Sequence, residues 1–389
     1  MSTTNLNRRN WLRSSLVLAT GAALAPAAAT AKAFRPSVQS HSRMWERNLI
    51  FPDQAIKIQA RLLANENPYG PSDKTRLAIM ESVGMGNRYG HGDAKKLKAI
   101  LAEREGVTPD HIMLGPGSTD ILEKTAIAHF IHGGNIVSAD PSYMSLVKTA
   151  MAFGADWKHV ALTPDYAHDL KAMAKAVDKD TKLVYVCNPN NPMGSLTPAE
   201  PLKEFCAKVS KKATVFVDEA YLEFLENGRA SSMVSLVAEG KNVLVARTFS
   251  KIHGMAGLRI GYCVALPETL EKITSMVRSN MGLNITSLRG AMASLDDEPF
   301  HDMSRKLTKE AREYVGEQLT SLGLPYVPSH TSFMIFPIAL PGEMFLEKMY
   351  AKGVGVRVFE IEDKPWCRVS MGTMQEMEMF VSSLKQVIG

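Results

Sequence analysis

The sequence predicts an α/β fold with two parts: a mostly parallel sheet in a large domain, and a smaller α/β domain at the C-terminal end. Between residues 72 and 266, short apolar and β-branched runs alternate with helical segments. Polar residues and glycines repeatedly follow these runs, and the carboxyl ends of parallel strands meet along one edge of a sheet. From about Pro267 the segments become long helices with a few strand-like runs.

The chain has 389 residues, of which 45% are hydrophobic and 22% charged. This length is sufficient for more than one hydrophobic core. We expect four parts: an export signal in 1–33, an N-terminal arm that joins the small domain in 34–66, a large domain in 67–280 and a small domain in 281–389.

Residues 1–33 resemble a twin-arginine export signal. Arg8 and Arg9 open a basic segment, 16–31 form a mildly apolar run, and Ala31-Lys-Ala33 is a small-x-small cleavage site. An ordinary Sec signal or a disordered basic tail is the alternative. The apolar run is short and Ala-rich for a membrane span, so we expect a periplasmic protein without a membrane anchor in its mature form.

The net charge and the cysteines indicate no further partner. The formal charge is +5, and 1–33 contain four basic residues and no acidic ones, so the mature chain would carry +1. We therefore expect no nucleic-acid partner. The four cysteines are widely spaced without a CxxC pair, which favours buried thiols over a metal site or a disulfide framework.

The first predicted elements lead to an anion site. Ser72 should cap a helix that runs to about Val83, and a second helix should cover 93–104. A short strand at 111–114 then leads through Gly115-Pro-Gly to Ser118 and Thr119, followed by a helix over 121–131. Free N–H groups at a helix start, next to glycines and hydroxyls, suit an anion.

The next three predicted strands also end in polar residues. They cover 135–139, 182–187 and 213–217, and Thr197 should cap a helix that runs to Val209. We expect the side chains that follow these strands to lie at one edge of the sheet: Tyr143, Asn191, Asp218 and Tyr221.

Lys251 follows the next apolar run, 242–246. Desolvation at the end of a buried strand lowers the pKa of a lysine and makes its amine a usable nucleophile. Ser250 and Arg259 flank it with a hydroxyl and a permanent cation, a combination that suits a phosphate group. For a lone lysine a solvated surface position is the commoner explanation, but a lysine beside a phosphate site indicates a Schiff base to pyridoxal phosphate.

Two arginines stand out in the C-terminal part. Helices are expected over 268–279, 298–322 and 375–387, and strands over 332–336, 355–359 and 366–370. Arg357 and Arg368 lie within strands of alternating apolar residues, where an arginine is rarely buried without an anionic partner. A position on the solvated face of the strand is the alternative for each.

Together these groups meet each need of pyridoxal phosphate: an acid for the pyridine nitrogen, a phenol and an amide for the ring oxygen, hydroxyls and an arginine for the phosphate, and an amine for the aldehyde. From about residue 60 onward the chain resembles the fold-type I pyridoxal-phosphate aminotransferases, and is most similar to their histidinol-phosphate aminotransferase-like group. The motifs that carry the resemblance are Asn65-Glu-Asn-Pro-Tyr-Gly70, Asn87-Arg-Tyr89, Gly115-x-Gly-Ser118, Asn190-Asn-Pro-x-Gly194, Asp218-Glu-Ala-Tyr221, Ser250-Lys251 with Gly257-Leu-Arg259-x-Gly261, and Arg368-x-Ser-x-Gly372.

The resemblance implies a role for each matching residue. Lys251 would form the Schiff base and move the proton, Asp218 would pair with the pyridine nitrogen, and Tyr143 would stack on the ring. The ring oxygen would be held by Tyr221 and Asn191, and the phosphate by Ser118, Thr119, Ser250 and Arg259. Tyr89 would reach the cofactor of a neighbouring subunit in a homodimer. Arg368 would hold the anionic end of the substrate, with Tyr69 and Arg357 nearby.

The function that we expect is the transfer of an amino group between an amino acid and a 2-oxo acid. Decarboxylation, elimination or racemisation on the same scaffold is the alternative, because one fold carries many chemistries. A departure from the group also affects the substrate: Ile252-His253 follows the lysine, which places a histidine near it. A non-catalytic ligand sensor is disfavoured by the intact Lys251.

Overall fold

The computed structural model describes residues 44–46, 57–278 and 282–389. The predicted export signal in 1–33 lies outside the described residues, as do parts of the predicted N-terminal arm. In the described part of the chain, no helix is both long enough and apolar enough to cross a membrane.

A seven-stranded sheet forms the centre of the fold, in the strand order β3-β9-β8-β7-β6-β4-β5. Only β9 runs antiparallel to its two neighbours, so the expectation of a mostly parallel sheet is confirmed. The strands are β3 (Ile112–Gly115), β4 (Asn135–Asp140), β5 (Asp156–Ala161), β6 (Thr181–Cys187), β7 (Thr214–Asp218), β8 (Val243–Thr248) and β9 (Gly261–Val264).

Both faces of this sheet are covered by helices, as a parallel sheet requires. Strands β4, β7 and β8 are buried along their whole length, which explains their continuous apolar and β-branched sequences. The helices that precede or accompany the sheet are α1 (Asp73–Ser82), α2 (His91–Glu105), α3 (Ser118–Phe130), α4 (Ser145–Ala152), α5 (Leu170–Ala176), α6 (Ala199–Val209), α7 (Val234–Ala238), α8 (Pro267–Met276) and α9 (Ile285–Leu295).

Helix starts were predicted with mixed success. Ser72 caps α1 as expected, since its side chain accepts from the Thr75 N–H. The prediction that Thr197 caps α6 is wrong: the N-cap residue is Pro198. The Thr197 hydroxyl instead accepts the His168 N–H at 3.0 Å, because this threonine is buried where two loops meet.

A second, antiparallel sheet has the order β1-β12-β13-β10, and a two-stranded parallel sheet joins β2 to β11. The predicted boundary between a large and a small domain at 280/281 stays a prediction. The elements are β1 (Met44–Glu46), β2 (Ala60–Arg61), β10 (Phe333–Pro337), β11 (Val354–Gly355), β12 (Arg357–Ile361), β13 (Lys364–Ser370), α10 (Glu298–Ser321), α11 (Gly342–Ala351) and α12 (Met374–Ile388).

Candidate active site

A cavity of about 360 Å³ lies at the carboxyl edge of the parallel strands. Eleven of the thirteen residues that the sequence marks as site residues line it, and they come from segments far apart in the chain. These eleven are Ser118, Thr119, Tyr143, Asn191, Asp218, Tyr221, Ser250, Lys251, Arg259, Arg357 and Arg368.

Lys251 lies on a tight turn just beyond β8. Its Nζ donates to the main-chain carbonyl oxygens of Ala64 at 3.3 Å and Asn65 at 3.1 Å, and lies 5.5 Å from the centre of the Tyr221 ring. Burial and the nearby positive charge of Arg368 lower the pKa of the lysine to about 8. The amine is therefore neutral in a substantial fraction of molecules near pH 8, as a nucleophile or proton carrier requires.

Asp218 ends the neighbouring strand β7. Its carboxylate accepts from the Ala220 N–H at 3.1 Å and from the Tyr185 hydroxyl at 3.3 Å. Burial raises the pKa of Asp218 to about 6, although both hydrogen bonds and the charge of Lys251 lower it. Because both donors are neutral, this buried carboxylate can still form an ion pair with a protonated ring nitrogen.

Tyr221 is buried against Phe333 and points its hydroxyl to the N-terminal segment. Asn65 Nδ2 donates to this hydroxyl at 2.9 Å, and the Asn65 N–H donates to Ser370 Oγ at 2.8 Å. Burial raises the pKa of Tyr221, so the phenol stays protonated at neutral pH and can donate to an anionic oxygen. Asn65 thereby links the site to the second sheet.

The start of α3 and the lysine turn together form a cradle for an anion. Arg259 donates to Ser250 Oγ at 3.4 Å and to the Pro116 carbonyl oxygen at 3.4 Å, so its guanidinium lies against the loop before α3. Gly117 has a φ of +88°, and a Cβ there would lie 2.1 Å from a guanidinium nitrogen. Only glycine therefore fits between this arginine and the helix start at Ser118.

Arg368 and Arg357 face each other across the antiparallel pair β12–β13. Arg368 is buried, donates to Asn191 Oδ1 at 2.7 Å and to the Leu63 carbonyl oxygen at 3.1 Å, and stacks on two phenylalanine rings. For Arg368 the alternative of a solvated strand face is therefore wrong. Two guanidinium groups in one cavity can hold an anionic substrate.

Two predicted site residues do not line the cavity. Tyr69 is half-buried, and Glu310 and Glu376 lie near its hydroxyl; burial and these two carboxylates raise its pKa. Tyr89 is 86% exposed, on the loop between α1 and α2, and stacks on His91. Within one chain neither tyrosine lines the cavity, although the segment of Tyr69 lies against the lysine turn, where Asn67 Nδ2 donates to the Ile252 carbonyl oxygen at 2.9 Å.

The residues present fit pyridoxal phosphate. The cradle around Gly117 has a fixed cation, three hydroxyls and the free N–H groups of α3 for a phosphate. A carboxylate held by neutral donors, a phenol, an amide and a lysine amine line the same cavity. This donor set matches the phosphate, the ring nitrogen, the ring oxygen and the aldehyde of that cofactor.

The sequence does not identify several residues in or next to the cavity. Tyr185, which lies behind the cavity wall and donates to Asp218, belongs to the apolar run of β6 and gives no signal in the sequence. Asn65 and Glu66 line the cavity, but in the sequence they are part of a resemblance motif without an assigned role, and Cys187 is expected only as a buried thiol. All four cysteines are indeed free and buried, but Cys187 also lines the cavity.

Comparison with known proteins shows the family of the chain. Residues 57–384 match the family described as aminotransferase class I and II. A histidinol-phosphate aminotransferase of Moorella thermoacetica is 35% identical over 335 residues, which are 86% of each chain.

Two solved structures show the extent of the likeness. A histidinol-phosphate aminotransferase from Sinorhizobium meliloti, in complex with pyridoxal 5'-phosphate, superposes with a TM-score of 0.78 at 28% identity, covering 85% of this chain and 91% of its own. An L-threonine-O-3-phosphate decarboxylase from Porphyromonas gingivalis gives a TM-score of 0.73 at 18% identity, covering 84% and 98%. The second likeness is one of fold alone.

Proposed function

The chain belongs to the aminotransferase class I and II family, and on this basis we propose a role for each residue of its site. The protein is a pyridoxal-phosphate-dependent aminotransferase, which moves an amino group between an amino acid and a 2-oxo acid. The observation that supports the roles best is the partly neutral Lys251 amine in a cavity that also contains Asp218 and the Gly117 cradle.

Bound pyridoxal phosphate supplies an aldehyde for amines and a ring that withdraws electrons from the substrate carbon. Arg259, Ser250, Ser118 and Thr119 would hold its phosphate at the start of α3. Asp218 would hold the proton of the ring nitrogen, and Tyr221 with Asn191 would bind the ring oxygen. Tyr143 would pack on the ring.

Lys251 acts as the nucleophile and the proton carrier in this proposal. With a pKa of about 8, its Nζ can release a proton at neutral pH at small cost and take it back. The carbonyl oxygens of Ala64 and Asn65 orient the amine without pairing it with a carboxylate. The amine can therefore take the proton from the substrate carbon and return it at another position.

The substrate end of the cavity is assigned to the arginine pair. Arg368 would bind a carboxylate or another anionic end of the substrate, and its bond to Asn191 fixes the guanidinium plane. Arg357, on the adjacent strand, would bind a second anionic group. Tyr69 is assigned to the substrate by resemblance.

A half-reaction tests the residue roles. Loaded protein mixed with single amino acids should lose the visible absorbance of its bound cofactor, release a 2-oxo acid, and regain the absorbance when another 2-oxo acid is added. Lys251→Ala should bind the cofactor without this cycle. Full amino transfer by Lys251→Ala, or carbon dioxide as the main product of the wild type, would contradict the roles.

We infer that the active form is a homodimer in which Tyr89 completes the partner's site. Supporting this, α1 and the loop after it expose several apolar side chains, with Met80 at 71% and Tyr89 at 86% exposure. Exposed apolar side chains clustered on one surface mark an interaction site.

Mixed variants test this arrangement. Lys251→Ala and Tyr89→Ala should each have low activity alone, but unfolding and refolding them together should restore about a quarter of the wild-type activity, because half of the dimers then contain one intact site. A monomer in solution, or no recovery on mixing, would contradict the shared site.

We also propose export to the periplasm by the twin-arginine route, on the basis of Arg8, Arg9 and the weakly apolar run that follows. Cell fractionation tests it. The wild type should appear in the periplasm without residues 1–33, whereas replacement of both arginines by lysine should keep the protein in the cytoplasm. Continued export of the double-lysine variant would point to the Sec route.

A further inference from the structure

The turn that carries Lys251 also carries a buried histidine. His253 lies two residues after the lysine and is only 3% exposed. Two main-chain hydrogen bonds close the turn. The Gly254 N–H donates to the Lys251 carbonyl oxygen at 3.0 Å, and the Met255 N–H donates to the Phe249 carbonyl oxygen at 3.0 Å. A displacement of His253 would therefore displace the lysine as well.

Both ring nitrogens of His253 have partners on other segments. Nδ1 lies 2.7 Å from Ser294 Oγ on α9, and Nε2 lies 3.3 Å from Glu223 Oε2. The ring packs on Phe249 and, edge-on, against His301, with ring centres 4.7 and 4.5 Å apart. Because one nitrogen faces a carboxylate and the other a hydroxyl, the two contacts fix the orientation of the ring.

His253 shifts the pKa values of the two titratable groups that it contacts. Burial raises the pKa of Glu223, but the charge and hydrogen bond of His253, with Arg247 and His301, lower it below its usual range. Burial and the charge of His253 lower the pKa of His301 to about 4. The other charged groups around the cluster are Arg104, Glu226, Arg229, Glu298 and Arg305.

Glu223 connects the histidine to the rest of the site. It lies on the short 3-10 helix Leu222–Phe224, directly after Tyr221 and five residues after Asp218. Arg305 of α10 donates to the Glu223 carbonyl oxygen at 3.3 Å, which fixes this segment from the other side. The contact between His253 and Glu223 thus joins the lysine turn to the segment that provides the carboxylate and the phenol.

We propose that His253 is a positioning residue, whose contacts with Glu223 and Ser294 hold the turn so that Lys251 stays in place opposite Tyr221. This rests on the role of Lys251 proposed above. A glutamine in place of His253 would fill most of the space but would leave the Glu223 carboxylate without the imidazole that contacts it.

The test compares His253→Gln, Glu223→Gln and the double variant. His253→Gln should lower kcat about ten- to a hundred-fold with little change in KM, because the amine is displaced while the substrate arginines are not. In the cofactor-free protein it should also speed hydrogen exchange at the Gly254 and Met255 amides. The double variant should be about as slow as the slower single variant, because the two residues act through one contact and their losses should not multiply.

His129→Gln is the matched control. His129 is also a buried histidine, but its ring nitrogens contact the Thr125 carbonyl oxygen and Thr214 Oγ1. Thr214 begins β7, so this contact lies at the opposite end of the strand from the cavity. Its replacement should cost stability without changing kcat or the exchange of Gly254 and Met255. The comparison separates a general loss of stability from a local loosening of the turn.

Two results would overturn the proposal: wild-type kcat and exchange in His253→Gln, or losses that multiply in the double variant as they do for independent residues. If His253→Gln does not fold, Glu223→Gln decides: a lower kcat and faster exchange at Gly254 and Met255 support the contact, and wild-type values refute it. Activity in Lys251→Ala would instead refute the role of the lysine, and the exchange readout in the cofactor-free protein is independent of that role.

Discussion

Arg247 and Lys251 are two buried cations four residues apart, and the fold surrounds them in opposite ways. The Arg247 guanidinium is 2% exposed and lies 3.0 Å from Glu219 and 3.1 Å from Glu105. It also donates to Ser232 Oγ at 2.7 Å. Burial lowers the pKa of Arg247, but Tyr262 and the two carboxylates raise it well above the ordinary value.

Lys251 has no such partners. Its amine donates to two main-chain carbonyl oxygens, and no carboxylate within 57–278 or 282–389 forms an ion pair with it. Asp218, its nearby acid, is likewise held by an N–H and a hydroxyl. Paired buried charges thus lie next to the lysine turn, whereas Lys251 and Asp218 in the cavity are held by neutral groups, and their perturbed pKa values suit catalysis.

The largest expected effect comes from Lys251→Met, a replacement of similar length. Amino transfer should fall by roughly four or more orders of magnitude, because the amine is the nucleophile. The cofactor-free variant should nevertheless be about 1–3 kcal/mol more stable at pH 7, since a desolvated, unpaired charge is removed. Turnover and denaturant unfolding at one protein concentration measure both; a less stable variant would contradict the comparison.

Arg247→Met should have the opposite outcome. We expect a loss of about 3–5 kcal/mol in the free energy of unfolding, because Glu219 and Glu105 stay buried without their cation. Arg104→Met is the control: that arginine is 24% exposed and pairs with exposed carboxylates, so it should cost less than about 1 kcal/mol. Equal losses in both variants would show that the Arg247 network contributes no more than a surface pair.

The smallest effect is the pH dependence of stability in the cofactor-free protein. The folded-state pKa of Asp218 is raised to about 6, so its contribution is present below the unfolded value and is lost as pH rises through 6. The folded-state pKa of Lys251 is lowered to about 8, so the unfolded chain binds more protons above pH 8 and stability rises there. Together the two groups contribute least between pH 6 and 8.

Single variants separate the contributions of Asp218 and Lys251 to this pH dependence. Relative to the wild type, Lys251→Met should lose the rise above pH 8, and Asp218→Asn should lose the fall between about pH 4 and 6, each by about 1–3 kcal/mol. Thermal or denaturant unfolding across pH 4–10 measures this. Wild-type pH curves in both variants would mean that neither group titrates differently in the folded protein.

The sequence predicts the residues that line the cavity better than the buried contacts that hold the neighbouring segments in place. Lys251 and Ser118 follow buried strands and Asp218 ends one, and the extent of an apolar run shows where such a strand ends. The partners of Arg247 cannot be found this way, because Glu105 is 142 positions away. Only tertiary packing brings the two together.

One strand is missing from the sequence prediction and one helix cap is wrong, for different physical reasons. Strand β5 reads Asp-Trp-Lys-His-Val-Ala and lies at the edge of the sheet with a partly exposed surface, so it lacks the apolar run of its neighbours. Thr197 is of a residue type that often caps helices, but its hydroxyl contacts His168 instead. In this second case a tertiary contact overrides the local preference.

The route of the chain around Lys251 determines when the site can exist during synthesis. The carbonyl oxygens that hold the amine belong to residues 64 and 65, which are fixed by β11 and by Arg368 and Ser370 near the other end of the chain. A nascent chain that has reached the lysine therefore has the amine but nothing to orient it. The catalytic centre should form only after the last strand has left the ribosome, so chains truncated before residue 370 should fail to retain the cofactor.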